Sequence, residues 1–386
     1  MPPTVQTIAR GNAVYRAEDS RARDVTKALK QLEGDTTPLT TLMSQLRVVK
    51  AKAVKVEWFE KELIPLFDTL AADVSASATT MTVVNYKFFR KEDLVKINNK
   101  EVVRVTTTPT STSVSIKRAV GGVGGTAALA GNSLLIMSSA SIENSASRDL
   151  LSTQKVGKHN FCQTHREPFA LSWHGQNTEV YGGGNDWDTE MAQALAQCKR
   201  AMEMSLIHGE RFEDTSGAQD QHQTGGVLFY IATNVIDASG DLTEPEFEDF
   251  IRICFRYGSD NKVIIMSPKL ASVINSFARG KLQTVQSDQK YGVTLTQYQN
   301  AGRRVRLAEH KLLTNESLSD FSGIAGYGIL LDIGALELAH MGPALVEYEE
   351  HIEAKGTHGR QDEYVTVFGL KLYHERKHGL LKGVTG

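Results

Sequence analysis

The densest chemistry in the sequence is the stretch KHNFCQTHREPF, which spaces His159, Cys162 and His165 three residues apart. An H-x2-C-x2-H triplet can offer zinc three ligands, but a structural site needs a fourth, and no second compact pair follows at finger-like spacing. The stretch also alternates as a strand does, and a spacing of three sets His159 and Cys162 on opposite faces of a strand. It is therefore expected to be a strand of ordinary polar and buried positions, without a metal. The run Gly121-Gly122-Val123-Gly124-Gly125-Thr126 invites a phosphate-loop reading. Such a loop needs Gly-Lys-Ser/Thr leading from a strand into a helix; here no lysine follows and the flanks are β-rich, so a flexible hairpin or loop tip is expected. No G-x-S-x-G nucleophile elbow occurs. The pair Glu349-Glu350 reads as a solvated face rather than a glycosidase pair. His374 and His378 lie four apart in a strand-like tail with Arg376 and Lys377, where helical metal geometry does not apply. No catalytic constellation emerges, so neither an enzyme nor a cofactor is expected.

Composition agrees with that. The chain of 386 residues is 41% hydrophobic and 23% charged, with a formal net charge of −2. This is enough apolar material for two or three domain-sized cores. Proteins that grip nucleic acid tightly show a basic surplus. None is visible here, which argues against a dedicated DNA reader while allowing weak contact. The three cysteines, Cys162, Cys198 and Cys254, are odd in number and widely spaced, which fits a reducing compartment better than a disulfide framework. The N-terminus has no apolar signal core, and no run approaches the roughly 18 apolar residues of a membrane helix.

The elements follow from periodicity. Asp19 or Ser20 caps a short helix through Leu32, Gly34 ends it, and Thr37-Pro38 forces extended backbone. Lys52 to Trp58 alternates as a strand. Between residues 79 and 137 come short β-type runs: Thr79–Val84, Leu94–Ile97, Val102–Thr107, Ser113–Lys117 and Ser133–Met137. Turn signals such as Asn98-Asn99 separate them, so a small barrel or folded sheet is expected. The segment 186–208 is the clearest helix. Asp186 or Asp188 caps it, and Met191, Ala194, Leu195, Cys198, Met202 and Leu206 form one apolar stripe. It spans on the order of 34 Å, and Gly209 is its expected C′ residue. Glu244–Tyr257 and Pro268–Phe277 read as helices. Lys262–Met266, Gly328–Ile333 and Leu336–His340 read as strands, giving an α+β layer fold. Tyr364–Leu380 reads as one long closing strand.

Taken in order, these segments resemble the major head proteins of tailed bacteriophages, and within them the SU10-like major capsid group. GDTTPLTTLMSQL resembles the family's arm motif, and KVEWFEKELIPLFDTL its Trp-containing strand opening the extended loop. HNFCQTHREPFALSWHG resembles the returning strand, 186–208 the spine helix, Asp237 to Phe277 the axial domain, and YVTVFGLKLYHERKHGLLKG the closing strand. The resemblance implies an HK97-type fold. Its parts are an N-terminal arm (1–51), an extended loop (52–151) with an inserted β-rich subdomain at about 72–140, a peripheral domain (152–226 and 346–386) and an axial domain (227–345). The β insertion is larger than a minimal extended loop. The implied function is a shell subunit that self-assembles as hexamers and pentamers into an icosahedral head around double-stranded DNA. The partners then include a separate scaffolding protein, a portal protein, a decoration protein and weak non-specific contact with packaged DNA. Synthesis falls in the bacterial host's cytoplasm, without a membrane.

An arm and a loop this polar bury little within one subunit. Their ordering entropy, about 1–2 kcal/mol per residue, must be offset by contacts elsewhere, and neighbouring copies supply them. Thr37, Pro38, Leu39, Trp58, Phe59, Lys87, Arg90, Glu349 and Glu350 are the expected contact residues. Lys50, Lys52, Lys55 and Lys91 are further cations that form no nucleic-acid stripe. The alternative reading is an encapsulin-type bacterial nanocompartment subunit, which shares the fold and holds a cargo enzyme. No charged helical pro-segment precedes the arm, so Met1 is the expected natural start. No Lys–Asn cross-link is expected between copies.

Overall fold

In the computed structural model the described residues are 39–41, 47–144, 147–178, 186–277, 296–300, 303–313 and 326–385. The expected helix ending at Leu32, Gly34 and Thr37-Pro38 lie outside them. In chain order the elements begin with β1 (Val48–Lys50), β2 (Lys55–Glu60), β3 (Phe67–Thr69), β4 (Thr80–Thr82), β5 (Asp93–Ile97), β6 (Glu101–Val105), β7 (Ser113–Lys117) and β8 (Ser133–Ser139). They continue with β9 (Val156–Phe161), β10 (Gln163–Ser172), α1 (Trp173–Asn177), α2 (Asp186–His208), β11 (Phe212–Asp214), β12 (Gln221–Gln223), α3 (Val227–Tyr230), β13 (Val235–Gly240) and α4 (Glu244–Cys254). The chain closes with β14 (Lys262–Met266), α5 (Pro268–Phe277), β15 (Thr296–Asn300), β16 (Arg303–Glu309), β17 (Gly328–Asp332), β18 (Leu336–His340), β19 (Glu347–Glu349), β20 (Gly359–Leu372) and β21 (Gly379–Val384). Two compact units result. One is Phe59–Lys158, and the other takes the described residues up to Trp58 and from His159 onward. Strands β2 and β9 pair as a two-stranded ribbon in which both boundaries fall.

The unit Phe59–Lys158 is a closed barrel. Its strands run β3-β8-β5-β6-β7-β4, and a bridge between Leu70 and Val83 joins the two ends. The Ala71 N–H donates to the Thr82 carbonyl at 2.9 Å and Val84 to Thr69 at 3.1 Å, completing the closure. Closure removes the exposed edges that a short open sheet would present. The β5–β6 hairpin turns through the three residues Asn98, Asn99 and Lys100, with Asn98 and Asn99 both left-handed (φ 44° and 54°), a conformation that asparagine tolerates better than most residues. Inward positions carry Val95, Ile97, Val103, Val105, Val114, Ile116 and Leu134. Sequence patterning shows five strands here; the barrel has six. The added strand, β3, reads FDT, three residues without an apolar alternation. Its Asp68 is buried and accepts from the Asn85 N–H at 2.9 Å.

The glycine run is a loop with tied feet. Buried Glu101 accepts from the backbone of Ala119 and Thr126 and pairs with the Arg118 guanidinium (Nη2 at 2.8 Å, Nε at 3.1 Å). Arg118 also donates to the carbonyls of Thr126 and Ser75. These hydrogen bonds hold the Glu101 carboxyl below its usual range against the opposing pull of burial. A Cβ on Gly125 would stand 2.1 Å from the Ala76 carbonyl oxygen, so this position requires glycine for space.

The second unit holds two larger sheets. The first runs β1-β18-β20-β10, with β19 also on β20. Its spine is the long β10/β20 pairing, Gln163↔Phe368 to Ser172↔Gly359. The second runs β13-β21-β17-β14-β16-β15. Strand β14 is buried at every position, and its alternating side chains serve different cores. Val263 and Ile265 pack with the stripe of α2. Ile264 and Met266 pack with α4 and α5 through Phe247, Phe250, Leu270 and Ile274. A strand covered on both faces reads as a continuous apolar run rather than an alternation, which is why VIIM is so plain in the sequence. Helix α4 starts on a capping box in which Thr243 and Glu246 satisfy each other's backbone.

Two expectations are corrected. The closing strand is not continuous: β20 ends at Leu372, His374 turns left-handed (φ 53°), and β21 joins the other sheet. Contacts far away in sequence hold the break. Glu375 accepts from the Ala232 N–H at 3.0 Å, and the buried Lys262 ammonium donates to the Lys377 carbonyl at 2.7 Å. Gly209 is not left-handed. It is small because a Cβ would meet the carbonyls of Ser205 and Thr224 at 2.4 and 2.5 Å.

Candidate assembly interface

The stretch His159–His165 does not converge on a ligand. The corner between β9 and β10 falls at Cys162, which is buried with Val56 and Ala339. Gly369 of β20 lets it sit there, since a Cβ would stand 2.9 Å from the Phe161 carbonyl. Burial pushes the Cys162 thiol up to about 11 and that of Cys254 to about 12, so neither is a ready nucleophile. His159 stacks edge-on against Phe161, and burial lowers its pKa, as do the neighbouring cations Arg211 and Lys55. His165 lies 3.5 Å from Glu167. Among the described residues, the one trio near enough to share a cation is His351, Glu353 and Asp362. Asp362 is already engaged by the Arg360 guanidinium (2.6 Å) and by the Tyr348 hydroxyl, so that trio is part of an ion-paired surface.

The same stretch does position something else, the root of the ribbon. Asn160 is fully buried and makes every bond its amide offers. Its Nδ2 donates to Leu370 O (2.7 Å), Gly225 O (2.9 Å) and Thr224 Oγ1 (3.1 Å), and its Oδ1 accepts from Phe161 N (2.9 Å) and Gly225 N (2.8 Å). The His159 carbonyl accepts from the Tyr230 hydroxyl at 2.8 Å and from Arg211 at 3.0 Å. Across the ribbon, Trp58 is only 5% exposed, its ring 6.0 Å from those of Tyr230 and Tyr373. A buried polar hub and a buried indole together hold the root of the ribbon within the second unit.

A second anchor holds the segment before β1. Glu203 lies on the buried face of α2, fully covered. Its carboxylate accepts from the backbone N–H groups of Leu39 (2.8 Å) and Thr40 (2.6 Å), from the Thr40 hydroxyl, and lies 2.9 Å from His310 Nε2. Leu39, Thr40 and Thr41 are helical, and buried backbone N–H groups need an acceptor, which this carboxylate supplies to the first two. Leu39 itself packs with Met202 and Leu206. Farther along, β1 pairs in parallel with β18, Val48↔Leu338 to Lys50↔His340.

The expected contact residues are thus dispersed. Leu39 and Trp58 serve the subunit's own core, because both are buried within it; that corrects their assignment to a neighbour's surface. Phe59 is 71% exposed. Lys87 is exposed beside a hollow of about 410 Å³ lined also by Tyr86, Phe88, Arg90, Pro109 and Leu150. Arg90 is half-buried and donates to the Asp149 carbonyl. Glu349 and Glu350 are exposed and lie 3.9 Å from Arg166 and 3.7 Å from Arg360. Thr37 and Pro38 lie outside the described residues. Sequence patterning does not single out Glu203, His310 or Asn160, although Glu203 stands as an acid beside Met202 on the apolar stripe of a helix.

A subunit with two large sheets, a long helix packed on one of them, and a two-stranded ribbon at the boundary of a β-barrel unit has the HK97-type capsid fold. The capsid of a native GTA particle has the same architecture, with a TM-score of 0.51 and 10% identity over 95% of this chain and 97% of that one. Residues 4–385 match the model of the SU10 major capsid protein family, and the chain belongs to that family. It is a major capsid protein of a tailed phage, a virion protein whose class is structural rather than enzymatic. The major capsid protein of Pseudomonas phage PaMx41 is 21% identical over 347 residues, covering 85% of this chain and 80% of that protein. The SrpI encapsulin of Synechococcus elongatus PCC 7942 is also similar, with a TM-score of 0.42 and 9% identity over 60% of this chain and 78% of that one. No helix among the described residues is long and apolar enough to cross a membrane.

Proposed function

We propose that this chain assembles as hexamers and pentamers into the icosahedral head of its phage, enclosing double-stranded DNA. One observation carries the reading: the distribution of exposed apolar surface. Of the eighteen exposed large hydrophobic side chains among the described residues, eleven lie in the unit Phe59–Lys158. They include Leu63 (93%), Leu150 (99%) and Phe59. A monomeric protein rarely keeps so much apolar surface on one small barrel and its connections. In a closed shell each copy meets others through the same surfaces, and that burial accounts for it. Phe59, Lys87, Arg90, Glu349 and Glu350 are the proposed contact residues. Residues 1–51 act as the arm, 52–151 as the extended loop, 152–226 with 346–386 as the peripheral domain, and 227–345 as the axial domain. A separate scaffolding protein guides assembly in the host cytoplasm, a portal protein occupies one vertex, and a decoration protein is a further partner. With a net charge of −2, the shell touches its packaged DNA weakly and without sequence preference.

Electron microscopy and sedimentation of the full chain produced with the other head proteins test this. Closed icosahedral shells with hexameric and pentameric capsomers are expected. A chain that stays monomeric at high concentration with its scaffold present refutes the reading. Small scaffold-free shells that retain a cargo enzyme would favour the nanocompartment instead.

A further inference from the structure

The outer face of the barrel carries a cation cluster without a counter-charge among the described residues. Along β5, β6 and β7 the inward positions are buried and the outward ones are not. The outward set is Leu94, Lys96, Val102, Arg104, Ser115 and Lys117. The carboxylates of these strands, Asp93 and Glu101, are both buried and engaged, Asp93 by Arg148 and Glu101 by Arg118. Register makes the crowding explicit. Arg104 sits directly opposite Lys117, and Lys96 is opposite Val102, hence diagonal to Arg104. Lys100 follows at the exposed hairpin. Like charges directly opposite across a sheet destabilise it, so this face opposes the barrel's own folding. None of Lys96, Arg104 and Lys117 has an ion-pair partner among the described residues.

The other unit shows the opposite imbalance. Around β19 and the start of β20, Glu347, Glu349, Glu350, Glu353, Asp362 and Glu363 gather about two guanidiniums. Arg166 is shared by Glu349 and Glu363, and Arg360 by Glu350 and Asp362. Each guanidinium balances one of its two carboxylates and leaves the outer one in excess. Those outer acids, Glu349 and Glu350, have side chains 50% and 57% exposed.

We infer that the Lys96/Arg104/Lys117 face of one copy docks on the Glu349/Glu350 face of a second copy. This rests on the shell reading above and specifies which surfaces meet. The pairing relieves a repulsion within each face and needs no third component. Patches of matched opposite charge also steer encounter and suppress wrong registers more than they add affinity.

The test is a charge swap in the full chain, produced with the other head proteins. The substitutions K96E/R104E/K117E reverse the barrel face, and E349K/E350K reverse the acidic face. Each set alone is expected to lower the fraction of chain in sedimenting shells at least ~10-fold, while circular dichroism and thermal melting of unassembled subunits stay at wild-type values. Both sets in one chain restore shells, because every contact then pairs inverted charges. Barrel-reversed chains that form normal shells overturn the inference. So do normal shells that package no DNA, which would assign the face to phosphates. A combined variant assembling no better than either parent also overturns it, whatever the single variants do. A wild-type chain that forms no shell defeats the shell reading itself, separately from these outcomes.

Discussion

Replacing Glu203 by Gln tests whether the buried carboxylate anchors the segment before β1. The carboxylate has two acceptor oxygens and serves Leu39 N, Thr40 N, the Thr40 hydroxyl and His310. Gln offers one acceptor and turns an NH2 toward donors, so at least one buried backbone N–H loses its partner, at about 1–3 kcal/mol. The bonds that survive change from charge-assisted to neutral and weaken roughly twofold. Relief from desolvating a carboxylate offsets part of this, leaving a net loss of roughly 2–4 kcal/mol for the turn at 39–41. At 1.4 kcal/mol per decade, the amides of Leu39 and Thr40 should exchange about 30- to 1000-fold faster in E203Q. Hydrogen–deuterium exchange on unassembled subunits reads those two amides, with the buried strand β14 as an internal standard. Exchange within threefold of wild type at both amides would mean that Leu39 packing alone holds the turn, and the anchor argument would be wrong.

Other perturbations reach the remaining cores. His378 is fully buried, its Nδ1 accepting from the Asp332 N–H, and burial lowers its pKa from the usual 6.5 to about 4. The unfolded chain takes up a proton below 6.5 that the folded one refuses, so stability falls as the pH drops from 6.5 toward 4 and levels off below. The full loss is roughly 3 kcal/mol; denaturant melts of wild type and H378Q across that window should diverge, and parallel curves would refute it. Trp58→Ala should cost about 3–5 kcal/mol through the cavity left beside Tyr230 and Tyr373, measured by urea unfolding; a loss under ~1 kcal/mol would show that the ring is not part of the packed root. Arg118→Met strands the buried Glu101 carboxylate and should destabilise the barrel by about 3–5 kcal/mol, read as faster proteolysis within Phe59–Lys158; unchanged cleavage would deny the ion pair its role. Shells boiled in denaturant should run as monomers, since no Lys–Asn bond is expected; a persistent ladder would contradict that.

What could be read without coordinates is what local patterning governs. The helix at 186–208 and the strands Lys262–Met266, Ser113–Lys117 and Leu336–His340 stand where periodicity puts them, because each buries a continuous face or stripe whose period shows in a short window. The barrel strands appear for the same reason, with Asn98-Asn99 marking a turn. The family could be recognised too, because the order of arm, Trp strand, helix and closing strand survives in linear form. Tertiary structure alone decided the rest. Strand β3 is too short to carry a period, and it becomes a strand only because closure pairs it with β8. The alternation from Tyr364 carries to Tyr373 and lapses in the polar run His374–His378, where Ala232 and Lys262, from distant segments, bind Glu375 and Lys377 and the tail passes from one sheet to the other. Trp58 suggests a contact residue by type, but Tyr230 and Tyr373, brought from far along the chain, bury it. Glu203 and Asn160 owe their roles to partners more than sixty residues away. Spacing along a chain reports which face a residue occupies, and only the fold determines what meets that face.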